Sequence, residues 1–506
     1  MSIKRQTVWS LVPLLVTVGV AMYTMPKFYL YLDDKMYAIW GYITTFNGMF
    51  GFADLGLGVA VGRYISVALG KNDQAAVRGY WGTGNLILLP FLFVVTLAFI
   101  GVGVWVGPKY FNVAAADIGL LRACFVAGGF SLFLGYYGTY WLILSQAHLD
   151  FKFISLVRVI MTLLQILPAL AIARFTGSPF WMVMWGVLIS LLQLAVFVWH
   201  GRRHYHLGLN LKSASRACAR EMAAYTGKMF AGLLAGNFFG NMDRTTLANR
   251  AFAPAAEYNH YFLAGSIAQR LQGLSVSAMG PVLFNSSRVA DRSRPAAAVI
   301  YNETFAFIFE WYLLAALWLG LWHPVLLRLW FTHTMGAEKG LATAGFVGPL
   351  LVPLVAAGCL TAISNVSNSQ LAALNRLGTT VWFNIAAGLL TIAGVWTGWR
   401  LAGVTGAAYG YLGSRAACVA QDVYTSRLLS AGGWLDRRTW LKIGGQGLVA
   451  VVLGLVYYVV PRVSYWLLLP AALHGGLVAA WLLRRQLRQL PARFPFLGRF
   501  FTPASL

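Results

Sequence analysis

The sequence predicts an all-α polytopic membrane protein of about 14 transmembrane helices: two six-helix lobes in parallel pseudo-repeat, followed by two C-terminal helices. Three observations predict it. Of the 506 residues, 59% are hydrophobic and 11% are charged, against roughly a quarter charged in soluble domains. A scan for stretches of about 20 mostly apolar residues, the length that crosses a bilayer, finds fourteen runs. The 39 lysines and arginines, which leave a net charge of +24, concentrate in alternate connections. With the N-terminus inside, the inner segments carry 23 of them and the outer segments eight, so the positive-inside rule places both termini in the cytoplasm. In a soluble chain such charge would point to nucleic acid, but spread between apolar runs it belongs to a membrane protein, and no nucleic-acid partner is expected.

The first run, 7–32, is too long for a signal-peptide core and lacks a small-residue cleavage site, so it reads as a retained helix. Runs 36–62, 79–106, 120–145, 153–173 and 179–199 complete an N-terminal lobe over 1–200. The basic inner connection that follows reads as a cytoplasmic linker over 201–221. Its His200, His204 and His206 read as interfacial residues, because the spacing supplies no carboxylate or cysteine to complete a metal site, and no metal is expected. Runs 222–248, 258–284, 299–322, 344–372, 377–399 and 401–424 form a C-terminal lobe over 222–430, with 323–343 as the longest outer segment. Runs 440–460 and 465–483 give a helix pair over 431–484, and the basic tail 485–506 suits anionic inner-leaflet lipid. Each set of six helices starts and ends on the same side, so the lobes are related by an axis along the membrane normal. The four cysteines have no Cys-x-x-Cys spacing and read as buried thiols.

The most distinctive stretch is Phe50 to Asp73, where Asp54-Leu55-Gly56-Leu57-Gly58 runs through Gly62 into Arg63 and Gly70-Lys71-Asn72-Asp73. It reads as a glycine-interrupted transmembrane helix ending in a basic loop. It is not a nucleotide loop, because no strand precedes it and no Lys-Ser/Thr follows. Its wording resembles the second helix of the bacterial polysaccharide flippases, a branch of the multidrug/oligosaccharidyl-lipid/polysaccharide exporter superfamily. Asn241-Met242-Asp243-Arg244 and Gly403-Val404-Thr405-Gly406-Ala407-Ala408 resemble further elements of that family, so the likeness covers roughly residues 1–430. One departure is Glu257-Tyr258, where the family commonly has Gly-Tyr.

Gly232, Gly236 and Gly240, and likewise Ala402, Gly406, Gly410 and Ser414, recur at every fourth residue, a pattern that lets helices approach closely. Both stripes are read as helix packing. Four charges fall near mid-membrane: Asp54, Arg270, Glu310 and Arg415. Each costs about 2.5–3.5 kcal/mol to insert, so such residues face a wet cavity or a partner. Arg270 and Arg415 could form a cationic patch for a phosphate or pyrophosphate, since guanidinium matches phosphate oxygens. They could equally pair structurally, Arg270 with Asp54 and Arg415 with Glu310. Asp54 could cap a half-helix after a break, and Glu310 could carry a coupling proton.

The resemblance implies a flippase, not an enzyme, that carries undecaprenyl-pyrophosphate-linked oligosaccharides from the cytoplasmic to the outer leaflet of the bacterial inner membrane. The product would feed O-antigen, capsule or exopolysaccharide assembly, with polysaccharide polymerase or ligase machinery as possible partners. It further implies a hydrated cavity in which Arg270, Arg415, Lys228, Arg244 and Arg63 attract the pyrophosphate, with Asp54, Asp243, Glu310, Asn237 and Asn241 as polar or coupling residues. Asn259, His260 and Tyr261 are candidates for sugar contact. No cofactor is implied beyond a coupling proton or sodium ion. The alternatives are a cation-coupled multidrug antiporter or a peptidoglycan-precursor flippase of the same superfamily. A membrane glycosyltransferase or polymerase would need an outer site, and the sequence has no His-Glu-x-x-His or Gly-x-Ser-x-Gly motif.

Overall fold

The computed structural model describes residues 3–53, 56–148, 150–290, 294–374 and 376–429. Asp54, the expected helices over 431–484 and the basic tail lie outside the described residues. What is described is built from helices, and the one β feature among these residues is an isolated bridge between Phe111 and Asn249. The first lobe holds α1 (Ile3–Tyr31), α2 (Asp34–Met49), α3 (Leu57–Gly70), α4 (Gln74–Gly101), α5 (Gly107–Tyr110), α6 (Ile118–Ala147), α7 (Phe151–Thr176) and α8 (Pro179–Tyr205). The second holds α9 (Arg216–Gly240), α10 (Met242–Ala248), α11 (Ala255–Ala290), α12 (Arg294–Met335), α13 (Ala337–Ala373), α14 (Leu377–Ser414) and α15 (Ala416–Leu428). Seven stretches are long and apolar enough to cross a membrane. Their outer faces carry exposed Phe93, Val94, Leu188 and Leu389, which is the surface a lipid solvent favours. The chain is a multi-pass membrane protein.

Short polar residues set where these helices begin. The carboxylates of Asp33, Asp73 and Asp150 accept from the backbone N–H groups of Met36, Ala76 and Phe153 at 2.7, 2.9 and 3.4 Å, each capping the helix that follows. The second apolar run breaks as its glycines predict. After α2 the backbone tightens into a 3-10 turn over Phe50–Phe52, and α3 opens from Gly56 at φ +62°, a conformation glycine adopts without strain.

The last two described runs form a helical hairpin within α14, reversing at Ala402–Gly403, where Gly403 has φ +59°. A Cβ on Gly398 would lie 2.1 Å from the Gly406 carbonyl oxygen, and one on Gly394 would lie 2.4 Å from that of Gly410. Ser414 completes the contact through the Thr391 hydroxyl at 2.9 Å. The stripe Gly406, Gly410 and Ser414 therefore packs helix on helix, as expected. The stripe of α9 does not. Among the described residues, a Cβ on Gly232 or Gly240 would have nothing within 4 Å, and one on Gly236 would meet only Asn384 at 3.5 Å. The tight approach of α9 to α14 runs through Gly388 instead, against which the Phe239 ring is laid. Periodicity alone does not say whether a helix face meets a helix or open space.

The expected outer segment 323–343 is also different. The helix α12 continues to Met335 and α13 starts at Ala337, with Gly336 at φ +88° and ψ 164° between them. Gly340 then sits directly against the backbone of Phe331 and Thr332. A one-residue turn requiring glycine lets both helices run on past the apolar core.

Candidate functional site

The lobes meet along α2 on one side and α9, α10 and α11 on the other. One set of contacts lies at the end that the charge pattern assigns to the outside. There the Tyr29 hydroxyl and His260 Nε2 share a hydrogen bond at 3.2 Å, Asn259 Nδ2 donates to the Asp34 carbonyl at 2.7 Å, and the hydroxyls of Thr45 and Tyr258 are 3.1 Å apart. Arg250 N donates to the Tyr110 carbonyl at 2.8 Å beside the Phe111–Asn249 bridge, and Tyr42 stacks on Phe111 with ring centroids at 4.6 Å. This is a clasp between lobes. It occupies Asn259, His260 and Tyr261, all three read from sequence as sugar contacts: Asn259 is fully buried, His260 is bound to Tyr29, and Tyr261 is buried against Asp243. Asn259 Nδ2, His260 Nε2 and the Tyr261 hydroxyl are engaged in these contacts, while Asn259 Oδ1 has no hydrogen-bond partner among the described residues.

Deeper, the asparagines of α9 rest on glycines of the broken second run. Asn241 lies within 3.2 Å of where a Cβ on Gly48 would be, and Asn237 within 2.6 Å of one on Gly51. Each amide also donates to the carbonyl four residues earlier, Asn237 to Leu233 and Asn241 to Asn237, both at 3.0 Å. In this conformation the two asparagines face α2 across the seam.

The charges gather just beyond, within the second lobe. Asp243 on α10 is 4% exposed and accepts from the Tyr261 hydroxyl at 2.9 Å. Arg415, at the junction of α14 and α15 and 5% exposed, donates to the Thr391 hydroxyl at 2.7 Å and lies 4.5 Å from the centre of the Tyr411 ring. Asp243 and Tyr261 are within electrostatic range of Arg415. Arg244 lays its guanidinium over Gly265, where a Cβ would be 2.8 Å from Nη2, and 5.2 Å from the centre of the Phe262 ring. Arg270, further along α11, is exposed beside Gln269 and feels the charge of Arg244. Asp243, Arg244 and Arg415 all lie within electrostatic range of Tyr411, and Arg270 lies within range of Arg244.

The structure brings together Asp243, Arg244, Arg270 and Arg415 from three separate stretches of sequence. Glu310 is buried on α12, and Arg415, one of the two residues of the alternative Arg415–Glu310 pair, contacts Thr391, Ser414 and Tyr411. Arg63 is exposed on α3, and Lys228 lies on α9 with its side chain outside those described. Sequence reasoning missed Tyr411 and Thr391. Tyr411 precedes Arg415 by four residues, the spacing of helical neighbours, so it was within reach. The loop histidines gain a carboxylate that linear spacing did not supply: Asp150 Oδ2 lies 3.1 Å from His200 Nε2.

A family model described as polysaccharide biosynthesis protein matches residues 3–286. The chain belongs to this family. Members of one superfamily share its fold. The lipid II flippase MurJ in an inward closed conformation superposes with a TM-score of 0.68 at 13% identity, covering 96% of this chain and 99% of that one. A multidrug resistance MATE family transporter of the MOP superfamily, inward-facing, gives 0.65 at 12% identity, covering 83% of this chain and 98% of that one. A MOP superfamily transporter from Pyrococcus furiosus gives 0.61 at 14% identity, covering 85% and 96%. No curated protein shows significant sequence similarity to the chain.

Proposed function

We propose that this polysaccharide biosynthesis family member is a flippase that carries an undecaprenyl-pyrophosphate-linked oligosaccharide across the bacterial inner membrane, from the cytoplasmic to the outer leaflet. The observation that carries the reading is the excess of guanidinium over carboxylate where the lobes meet. Arg244 and Arg270 are like charges held within range of each other, and an anion of two or more charges relieves that repulsion. A pyrophosphate fits it, because each guanidinium offers a planar fork to phosphate oxygens. A cation-coupled drug antiporter would place carboxylates there. Asp243 is the one carboxylate of the described cluster, and it is already engaged by Tyr261 and Arg415.

In this mechanism the exposed Arg63, together with Lys228 of α9, draws the head group toward the seam from the cytoplasm, Arg270 and Arg244 take the pyrophosphate, and the prenyl chain stays in lipid. Opening of the clasp at Tyr29–His260, Asp34–Asn259 and Thr45–Tyr258 then releases the head group outside. Both termini lie in the cytoplasm under this topology. The exported unit passes to surface-polysaccharide polymerase or ligase machinery.

The test is complementation of a deletion strain. Loss of the gene removes surface polysaccharide and accumulates the unextended lipid-linked unit. Wild type restores export, and Arg270→Ala does not, although it reaches the membrane in equal amount. Normal export by Arg270→Ala removes the cluster from the mechanism. Intact polysaccharide with altered drug tolerance in the deletion strain replaces the flippase reading with the antiporter.

A further inference from the structure

A second carboxyl group is buried in the C-terminal lobe, apart from the arginine cluster. Asp422 on α15 is 5% exposed, and its Oδ1 accepts from the Ser367 hydroxyl of α13 at 2.5 Å. Tyr301 of α12 shares a hydrogen bond with that same Ser367 hydroxyl at 3.1 Å and reaches the Asp422 carbonyl at 3.3 Å. Ser364, one helical turn from Ser367, donates to the Cys418 carbonyl at 3.4 Å. Beside this shell Gln421 Nε2 donates to Asn368 Oδ1 at 2.5 Å. The Ser367 hydroxyl of α13 thus bonds the carboxyl group directly, and the Tyr301 hydroxyl of α12 bonds Ser367 and the Asp422 backbone carbonyl behind it.

The titratable groups facing Asp422 are Tyr301 from α12 and Cys418 from α15 itself, while α13 presents only hydroxyls and amides. Arg415 lies two turns back along the same helical path and is committed to Thr391, Ser414 and Tyr411. Among the described residues no cation pairs with Asp422. An ionised carboxylate in such surroundings is far more costly than a neutral one.

We propose that Asp422 binds a proton in this conformation and exchanges it during the cycle, which makes it the coupling site of the transporter. The geometry gives the reason for coupling. Loss of the proton leaves a charge among α12, α13 and α15 that hydroxyls alone must hold, so the lobe repacks or admits water at that step. The proton-binding part stands on the structure alone, and the coupling part rests on the flippase reading.

Two measurements on the full chain separate the parts. Infrared difference spectra of the purified protein, titrated with pH, should show a protonated-carboxyl C=O band that disappears in Asp422→Asn. Ser367→Ala, which keeps the carboxyl group, should retain the band and shift its pH midpoint. A spectrum with no band removed by Asp422→Asn overturns the proposal, as does displacement of the band by sodium. In proteoliposomes, flipping of a fluorescent lipid-linked pyrophosphate sugar should respond to an imposed pH gradient. For one proton, a gradient of one pH unit shifts the leaflet distribution about tenfold, and Asp422→Asn should flip without that response. An equal response in the variant overturns the coupling role. No flipping by wild type overturns the coupling role together with the flippase reading, and the infrared result still decides proton binding.

Discussion

Opening the clasp is the conformational step the structure makes most measurable. Consider the triple variant Tyr29→Phe, Thr45→Val, Asn259→Ala, which deletes the hydrogen bonds at 3.2, 3.1 and 2.7 Å between the lobes while keeping most of the packing volume. Each such bond contributes about 1 kcal/mol net, so the lobe-closed arrangement loses about 3 kcal/mol relative to one in which these groups are wet. At 1.4 kcal/mol per factor of ten, the ratio of closed to open shifts by about a hundredfold. Spin labels at the exposed positions Ala116 and Glu257, on opposite lobes near the clasp, report the change as a second, longer distance in a background lacking native cysteines. Wild type should show mainly the short distance, and the triple variant should show the long one as a major population. Single variants should fall between, each moving the ratio roughly fivefold. An unchanged distance distribution in the triple variant would refute the reasoning, because it would mean that the aromatic packing of Tyr42, Phe111 and Tyr258 holds the lobes without the hydrogen bonds.

Two further outcomes test the fold and its orientation. Gly410→Ala should lower the melting temperature in detergent, because its Cβ would lie 1.8 Å from the Gly394 carbonyl oxygen and the hairpin must open. The cost is about 1–3 kcal/mol, as for other overpacked cores, whereas Gly413→Ala, with nothing within 4 Å, should melt like wild type. A single cysteine at the exposed Lys212, in the linker between lobes, should react with an impermeant maleimide only after the cells are broken, and labelling of intact cells would invert the topology.

Much of the architecture was legible because lipid is a demanding solvent. A helix in hydrocarbon must satisfy its own backbone, so runs of apolar residues report spans directly, and the lysines and arginines between them give an orientation. The breaks were legible too. Gly56 adopts positive φ inside the run 36–62 that the sequence reads as glycine-interrupted, and Gly403 does so at the start of the run 401–424. The outer segment between α12 and α13 was not, because polar residues in a helix extending past the membrane look the same in sequence as those of a loop, and only the turn at Gly336 shows the difference.

By itself the sequence determined the helical membrane class, and it pointed to two arginines within apolar runs, Arg270 and Arg415. It could not determine what those arginines face. Asp243 and Arg415 stand 172 positions apart in numbering, and their proximity follows from the packing of α10 against the α14 hairpin, a matter of three-dimensional distance that no periodicity encodes. The same holds for the two glycine stripes. Both have the same fourfold spacing, yet Gly406 and Gly410 meet opposing backbone while Gly232 and Gly240 meet none. The spacing fixes which residues share a helix face, and only the neighbouring chain decides whether that face is packed or left open.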